Sequence, residues 1–125
     1  MGKIEKLFKA LSDRNRLRIL AALKEYNGIC ACQIVELLKV TGATTSKHLS
    51  ILLNIGLIEN YKEGRWVHYR LDYSRTDYDQ VMKWLEGQLD QTDIIKADKR
   101  TLKEIMAADR EEICRKQRGD ECCPN

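Results

Sequence analysis

Proline is almost missing from this chain. Its one proline, Pro124, stands next to the last residue, so no helix is interrupted by a ring that cannot donate a backbone hydrogen bond. No apolar run reaches the roughly 18 residues that a membrane-spanning helix needs, and the opening MGKIEKLFKA has no signal-peptide core. The expectation is a cytoplasmic protein with no membrane partner. An even cysteine count is lacking too: there are five cysteines, which in a chain without an export signal argues for thiol chemistry or metal binding over a disulfide scaffold.

What is present describes one ordinary globular domain with a modest core. The chain has 125 residues, 43% of them hydrophobic and 33% charged, with a formal net charge of +3. That charge permits a nucleic-acid partner without requiring one, so the local distribution of basic residues carries more information.

Periodicity orders the elements. Ile4, Leu7, Phe8 and Leu11 share a helical face, and Leu17, Leu20, Ala21 and Leu23 form the stripe of a second helix capped by Ser12 or Asp13 and ended at Gly28. A third helix is expected from about Cys32 to Lys39. Thr41 suits the N-cap of a fourth, which Gly56 stops. The period then changes to that of strands, LIENY and WVHYRL, joined by a hairpin over Lys62-Glu63-Gly64-Arg65. Tyr78, Val81, Met82, Leu85 and Leu89 mark another helix, and a last amphipathic segment is expected from about Asp93 to Gln117. The fold class is mainly α with a two-stranded β-wing, a winged helix-turn-helix over 1–92, followed by a helical extension and cysteine-containing tail over 93–125.

In such a module the second helix of the pair enters the major groove with its N-terminal half. Thr44, Ser46 and Lys47 occupy that half, Ser50 follows on the same polar face, and Thr45 and His48 lie at or near the apolar side. Hydroxyls suit phosphates or base acceptors, and lysine suits a phosphate or a guanine edge. Lys62 and Arg65 at the wing are placed to reach a phosphate or the minor groove. These eight residues are the candidate contacts to double-stranded operator DNA. His68, inside a strand, reads as structural.

The stretch TTSKHLSILLNIGLIENYKEGRWVHYRL resembles the signature of the ArsR/SmtB family of metal-responsive bacterial repressors, and ALSDRNRLRILAAL resembles that family's second helix. The resemblance covers roughly residues 4 to 90. It implies a homodimer whose interface is built from the first helix and the helix after the wing, here the stripes around Leu7 and Leu85.

It also implies a role for GICACQIVELLKV, residues 28–40. Members that sense arsenite or antimonite carry Cys-x-Cys at the start of the third helix, where Cys30 and Cys32 stand. Thiolate is the ligand that soft ions select, and a helix N-terminus favours the thiolate form. In a regular helix the two side chains diverge by about 200°, so ion binding is expected to unwind the helix locally. One arsenite version of the pattern has a third cysteine three residues after Cys32, but Val35 stands there. Cys114, Cys122 and Cys123 are the remaining candidates for a third thiolate, and a final helix of about 25 residues is long enough to carry one of them across to Cys30 and Cys32 of the partner subunit. The cadmium- and lead-sensing branch, with four thiolates, is an alternative inducer class. The zinc type needs histidines in the helix after the wing, which has none. No organic cofactor is expected. A redox-switched thiol regulator is a further alternative. An enzyme is not expected, because no phosphate loop and no nucleophile–base pair accompany Cys30.

Overall fold

The computed structural model describes residues 1–74 and 76–118. Cys122 and Cys123 lie outside the described residues. Ten elements follow one another: α1 (Gly2–Leu11), α2 (Arg14–Glu25), β1 (Ile29–Cys30), α3 (Ala31–Leu38), α4 (Gly42–Ile55), β2 (Ile58–Glu63), β3 (Trp66–Leu71), α5 (Asp79–Leu89), α6 (Asp93–Ala107) and α7 (Arg110–Arg118).

Local chemistry sets most of the boundaries. Asp13 opens α2 by accepting the N–H groups of Asn15 and Arg16, at 2.8 and 3.1 Å. Thr41 opens α4 by accepting the Thr44 N–H at 3.1 Å. Gly56 closes α4 with φ +85°, a left-handed value that other residues adopt at a cost. β2 and β3 pair antiparallel from Ile58↔Leu71 to Glu63↔Trp66, which makes the wing. The helix-turn-helix and wing are therefore where the periodicity placed them.

Three features differ from the sequence expectation. The wing is joined by a third strand, β1, which pairs with β3 as Ile29↔Tyr69 and Cys30↔His68. Gly28 makes this possible: its φ is +117°, and a side chain there would strike the Tyr61 hydroxyl. Second, the final helix is not continuous. Ala108 is extended, the Asp109 carboxylate accepts the Glu111 N–H at 3.0 Å, and a new helix starts at Arg110. Third, Leu7 and Leu85 are buried inside the protomer. The uncovered apolar side chains on those two helices are Ile4 and Phe8 of α1 and Trp84 of α5.

One core serves the described chain. Ile19, Leu20 and Leu23 of α2 meet Ile34 and Leu37 of α3, Leu49 and Leu52 of α4, and Leu102 and Ile105 of α6. α6 lies against α2 and α3, and α7 lies along α3, so the extension folds back on the DNA-binding module. α6 is anchored by a nearly buried ion pair. Arg18 Nε and Nη2 reach both oxygens of Asp98, at 2.7 and 3.0 Å, while Nη2 also donates to the Leu37 carbonyl.

A candidate three-thiol centre and a candidate DNA face

Cys30 ends β1 and is also the N-cap of α3, with an extended backbone (φ −72°, ψ 149°). Its sulfur accepts the Gln33 N–H, and the Gln33 side chain reciprocates by accepting the Cys30 N–H at 2.9 Å. Cys32 sits one residue inside the helix. The chain turns from strand to helix between them, so both side chains point inward, and both are fully buried. The expected divergence around a regular helix does not arise, and no unwinding is needed to bring the sulfurs together.

The third sulfur comes from α7. Arg110, Ile113, Cys114 and Gln117 repeat at helical spacing and form its inner face. Gln117 Nε2 donates to the Cys32 carbonyl at 3.0 Å and to Glu36 Oε1 at 3.2 Å, which holds α7 along α3. Cys114 then meets the first two cysteines. The sulfurs of Cys30, Cys32 and Cys114 all lie within 4.8 Å of one another, and all three residues are buried. Cys32 and Cys114 are joined as a disulfide, with Cα atoms 5.4 Å apart. The cluster is assembled within one chain, across a sequence separation of 82 residues. The reach across to a partner expected of a single long helix is replaced by a helix folded back on its own α3. Val35 is half-buried on α3 and offers no donor.

Once reduced, this donor set fits a soft, thiophilic ion: three sulfurs close together in a place with little water. His68, opposite Cys30 on β3, is buried and stacked on Tyr61 with ring centroids 5.3 Å apart. Desolvation holds its pKa below the usual imidazole value, and the nearby Arg110 guanidinium, which hydrogen-bonds its Nε2, pushes the same way. Its role is to pack the wing against α7.

The candidate DNA face is less uniform than its sequence suggested. Thr44, Ser46, Lys47 and Ser50 are exposed on α4, and Lys62 and Arg65 are exposed on the wing. Thr45 is not. It is 1% exposed, so it cannot reach DNA from this position, and it is dropped from the candidate contacts. His48 is pinned from behind: Arg16 Nη1 lies 3.1 Å from its Nδ1, while Arg16 Nε and Nη2 donate to the carbonyls of Ala10 and Lys9 at the end of α1. Arg65 forms an ion pair with Glu111 of α7 at 3.1 Å. Sequence reasoning did not single out Asp109, Glu111 or Gln117. Only Asp109 carried a local signal, as a capping residue ahead of Arg-Glu-Glu.

The buried Thr45 hydroxyl has no hydrogen-bond partner among the described residues. Thr45→Val keeps the shape and removes an unsatisfied polar group, so it should stabilise the fold by about 1 kcal/mol. Thermal unfolding reads this as a rise of a few degrees, with operator affinity unchanged. A destabilised variant, or one with weakened DNA binding, would show that the hydroxyl is in use.

No helix among the described residues is long and apolar enough to cross a membrane. The family model for bacterial regulatory proteins of the arsR family matches residues 13–60, the segment from the α2 cap into the wing. The cadmium resistance transcriptional regulatory protein CadC of Listeria innocua is 42% identical over 62 residues, covering 50% of this chain and 52% of that protein. The arsenical resistance operon repressor of Bacillus subtilis is 40% identical over 72 residues, covering 58% of this chain and 69% of that one. The chain spans just over half the length of the cadmium regulators it matches. Among solved structures, reduced HlyU from Vibrio cholerae superposes with a TM-score of 0.60 at 28% identity, over 70% of this chain and 88% of that one. Matching a family model across the helix-turn-helix, resembling a repressor over most of its length, and sharing the winged fold, this chain belongs to the arsR family of bacterial regulatory proteins.

Proposed function

We propose that the protein is a DNA-binding transcriptional repressor that leaves its operator when arsenite or antimonite binds Cys30, Cys32 and Cys114. The observation that carries the reading is the meeting of three buried sulfurs within 4.8 Å of one another. Similarity alone does not choose the inducer, because the relatives include both a cadmium and an arsenical regulator. The donor count favours arsenite or antimonite. A trivalent ion of the arsenite type takes three thiolates, the number that meet here, whereas the four-thiolate alternative for cadmium or lead would draw on Cys122 or Cys123, which lie outside the described residues. A thiol reductant first gives two electrons and two protons to the Cys32–Cys114 disulfide; in the binding step each thiol of the reduced protein then gives its proton to a departing hydroxide, so three sulfur bonds form and three waters leave.

DNA binding rests on the exposed start of α4 and on the wing. Ser46 and Lys47 face outward at the helix N-terminus, where unsatisfied amides attract phosphate. The uncovered Ile4, Phe8 and Trp84 supply a self-complementary apolar face for a homodimer, which pairs two recognition helices with two half-sites. Lys47→Ala and Arg65→Ala should each weaken operator binding and flatten its salt dependence by about one unit of slope, the share of a single neutralised phosphate. Their arsenite stoichiometry should stay that of the wild type. Operator titrations across salt concentrations, with unchanged slopes in both variants, would remove these residues from the interface.

The Cys32–Cys114 disulfide supports a second reading, a redox switch, in which the two thiols give two protons and two electrons to a peroxide that leaves as two waters. Titrating reduced protein on its operator with arsenite in one series and with metal-free peroxide in another separates the two. Release by arsenite with one ion bound per protomer supports the repressor reading. Release by peroxide alone supports the switch.

A further inference from the structure

The first turn of α7 is seated on the wing. Glu111 pairs with Arg65 at 3.1 Å. The Arg110 guanidinium lies 4.7 Å from the Trp66 ring centroid, reaches toward Glu63 at 4.0 Å, and hydrogen-bonds His68. One turn further along, the same helix delivers Cys114 to the thiol cluster and Gln117 to α3. One short helix therefore grips both the thiols and the tip of the wing.

We propose that α7 is an internal competitor for the wing: when Cys114 is held at Cys30 and Cys32, Glu111 takes the Arg65 guanidinium that a DNA phosphate would otherwise take. This competition rests on the proposed repressor reading for its biological trigger, but its mechanics require only that α7 be docked. A carboxylate and a phosphate make the same kind of charge-assisted bond to a guanidinium, so they compete for it. Glu111 and the exposed Glu112 also place negative charge beside the path of the DNA backbone, and like charges there cost affinity. The Arg65–Glu111 pair is half exposed, at 60% and 45%, and such pairs are individually weak. What gives it effect is the tether. With Cys114 fixed, Glu111 is presented to Arg65 intramolecularly; with Cys114 released, α7 loses its covalent or ion-bridged anchor on α3, keeps only the Gln117 hydrogen bonds and side-chain packing, and presents the carboxylate at a lower effective concentration. Linkage then makes docking of α7 and DNA binding oppose each other by the same factor.

The test uses full-length protein and a fluorescent operator, and it closes α7 in two independent ways. In one arm, a Cys30→Ser, Cys122→Ser, Cys123→Ser background is closed at Cys32–Cys114 with diamide, which accepts the two protons and two electrons. In the other, the reduced native chain is loaded with arsenite. Each arm compares the parent with Glu111→Gln and with Arg115→Gln. The Arg115 variant breaks the 2.9 Å Arg115–Glu111 pair without touching the wing. Closure should weaken operator binding by the parent and by Arg115→Gln about five-fold more than it weakens Glu111→Gln, on the scale of one exposed ion pair. Reduced, ion-free Glu111→Gln should bind the operator as the parent does. Equal loss on closure in the parent and Glu111→Gln, or no loss in the disulfide-closed parent, overturns the proposal. Failure of the native chain to bind arsenite would instead take down the repressor reading, and the disulfide arm would still decide the role of Glu111.

Discussion

Cys114→Ser should retain operator binding and lose arsenite-induced release. Serine preserves the size of the side chain and removes the soft donor, leaving Cys30 and Cys32 as a two-thiolate remnant. Taking about 3 kcal/mol per thiolate, a fraction of what whole thiolate-rich sites contribute, arsenite affinity should fall on the order of 100-fold. Cys30→Ser and Cys32→Ser should behave alike, since each removes one of the same three sulfurs. Operator release at wild-type arsenite concentrations in any of these variants would locate the trigger elsewhere. The fold also makes a claim about subunits. A heterodimer of Cys32→Ser and Cys114→Ser protomers has no complete site when each chain supplies all three sulfurs. It would regain one site per dimer if Cys114 crossed to its partner, so arsenite stoichiometry of the mixed dimer distinguishes the two arrangements.

Asp98→Ala should have the largest effect on stability. The pair with Arg18 is only 15% and 13% exposed, and removing the carboxylate leaves a guanidinium in a poorly hydrated place. Arg18 keeps the Leu37 carbonyl and the Asn15 side chain, so the cost should be about 2–3 kcal/mol, below that of a fully buried pair. Denaturant unfolding measures it. The functional consequence is the more informative part: Asp98 anchors α6, and α6 carries α7. Arsenite affinity should therefore drop with stability, while operator affinity of the reduced protein, which depends on α4 and the wing, should hold. Loss of DNA binding without loss of arsenite affinity would mean that α6 braces the recognition helix instead of the thiol centre.

The winged helix-turn-helix was legible in the sequence because its signals are local. Thr41 and Gly56 bracket α4, Asp13 opens α2, and alternation with a glycine turn marks β2 and β3. β1 was not legible, since two residues carry no period and its pairing with β3 is a tertiary fact. The mutual orientation of Cys30 and Cys32 was misjudged for a related reason. A helical wheel assumes that both residues lie in the helix, and Cys30 is the strand residue that caps it. Cys114 was visible as a candidate, but its approach to α3 depends on the break at Ala108–Asp109, which amphipathicity across 93–117 conceals. Leu7, Leu85 and Thr45 show the same limit on the surface side. Periodicity gives a stripe, while the helices packed against it decide which edge of the stripe is covered.

Whether one chain holds the inducer with three sulfurs is read by X-ray absorption at the arsenic edge of the reduced, arsenite-loaded full chain. Three sulfur neighbours per arsenic and no oxygen are expected, with one arsenic per protomer, falling to two sulfurs in Cys114→Ser. Two sulfurs in the native chain, or three that survive the loss of Cys114, would contradict it.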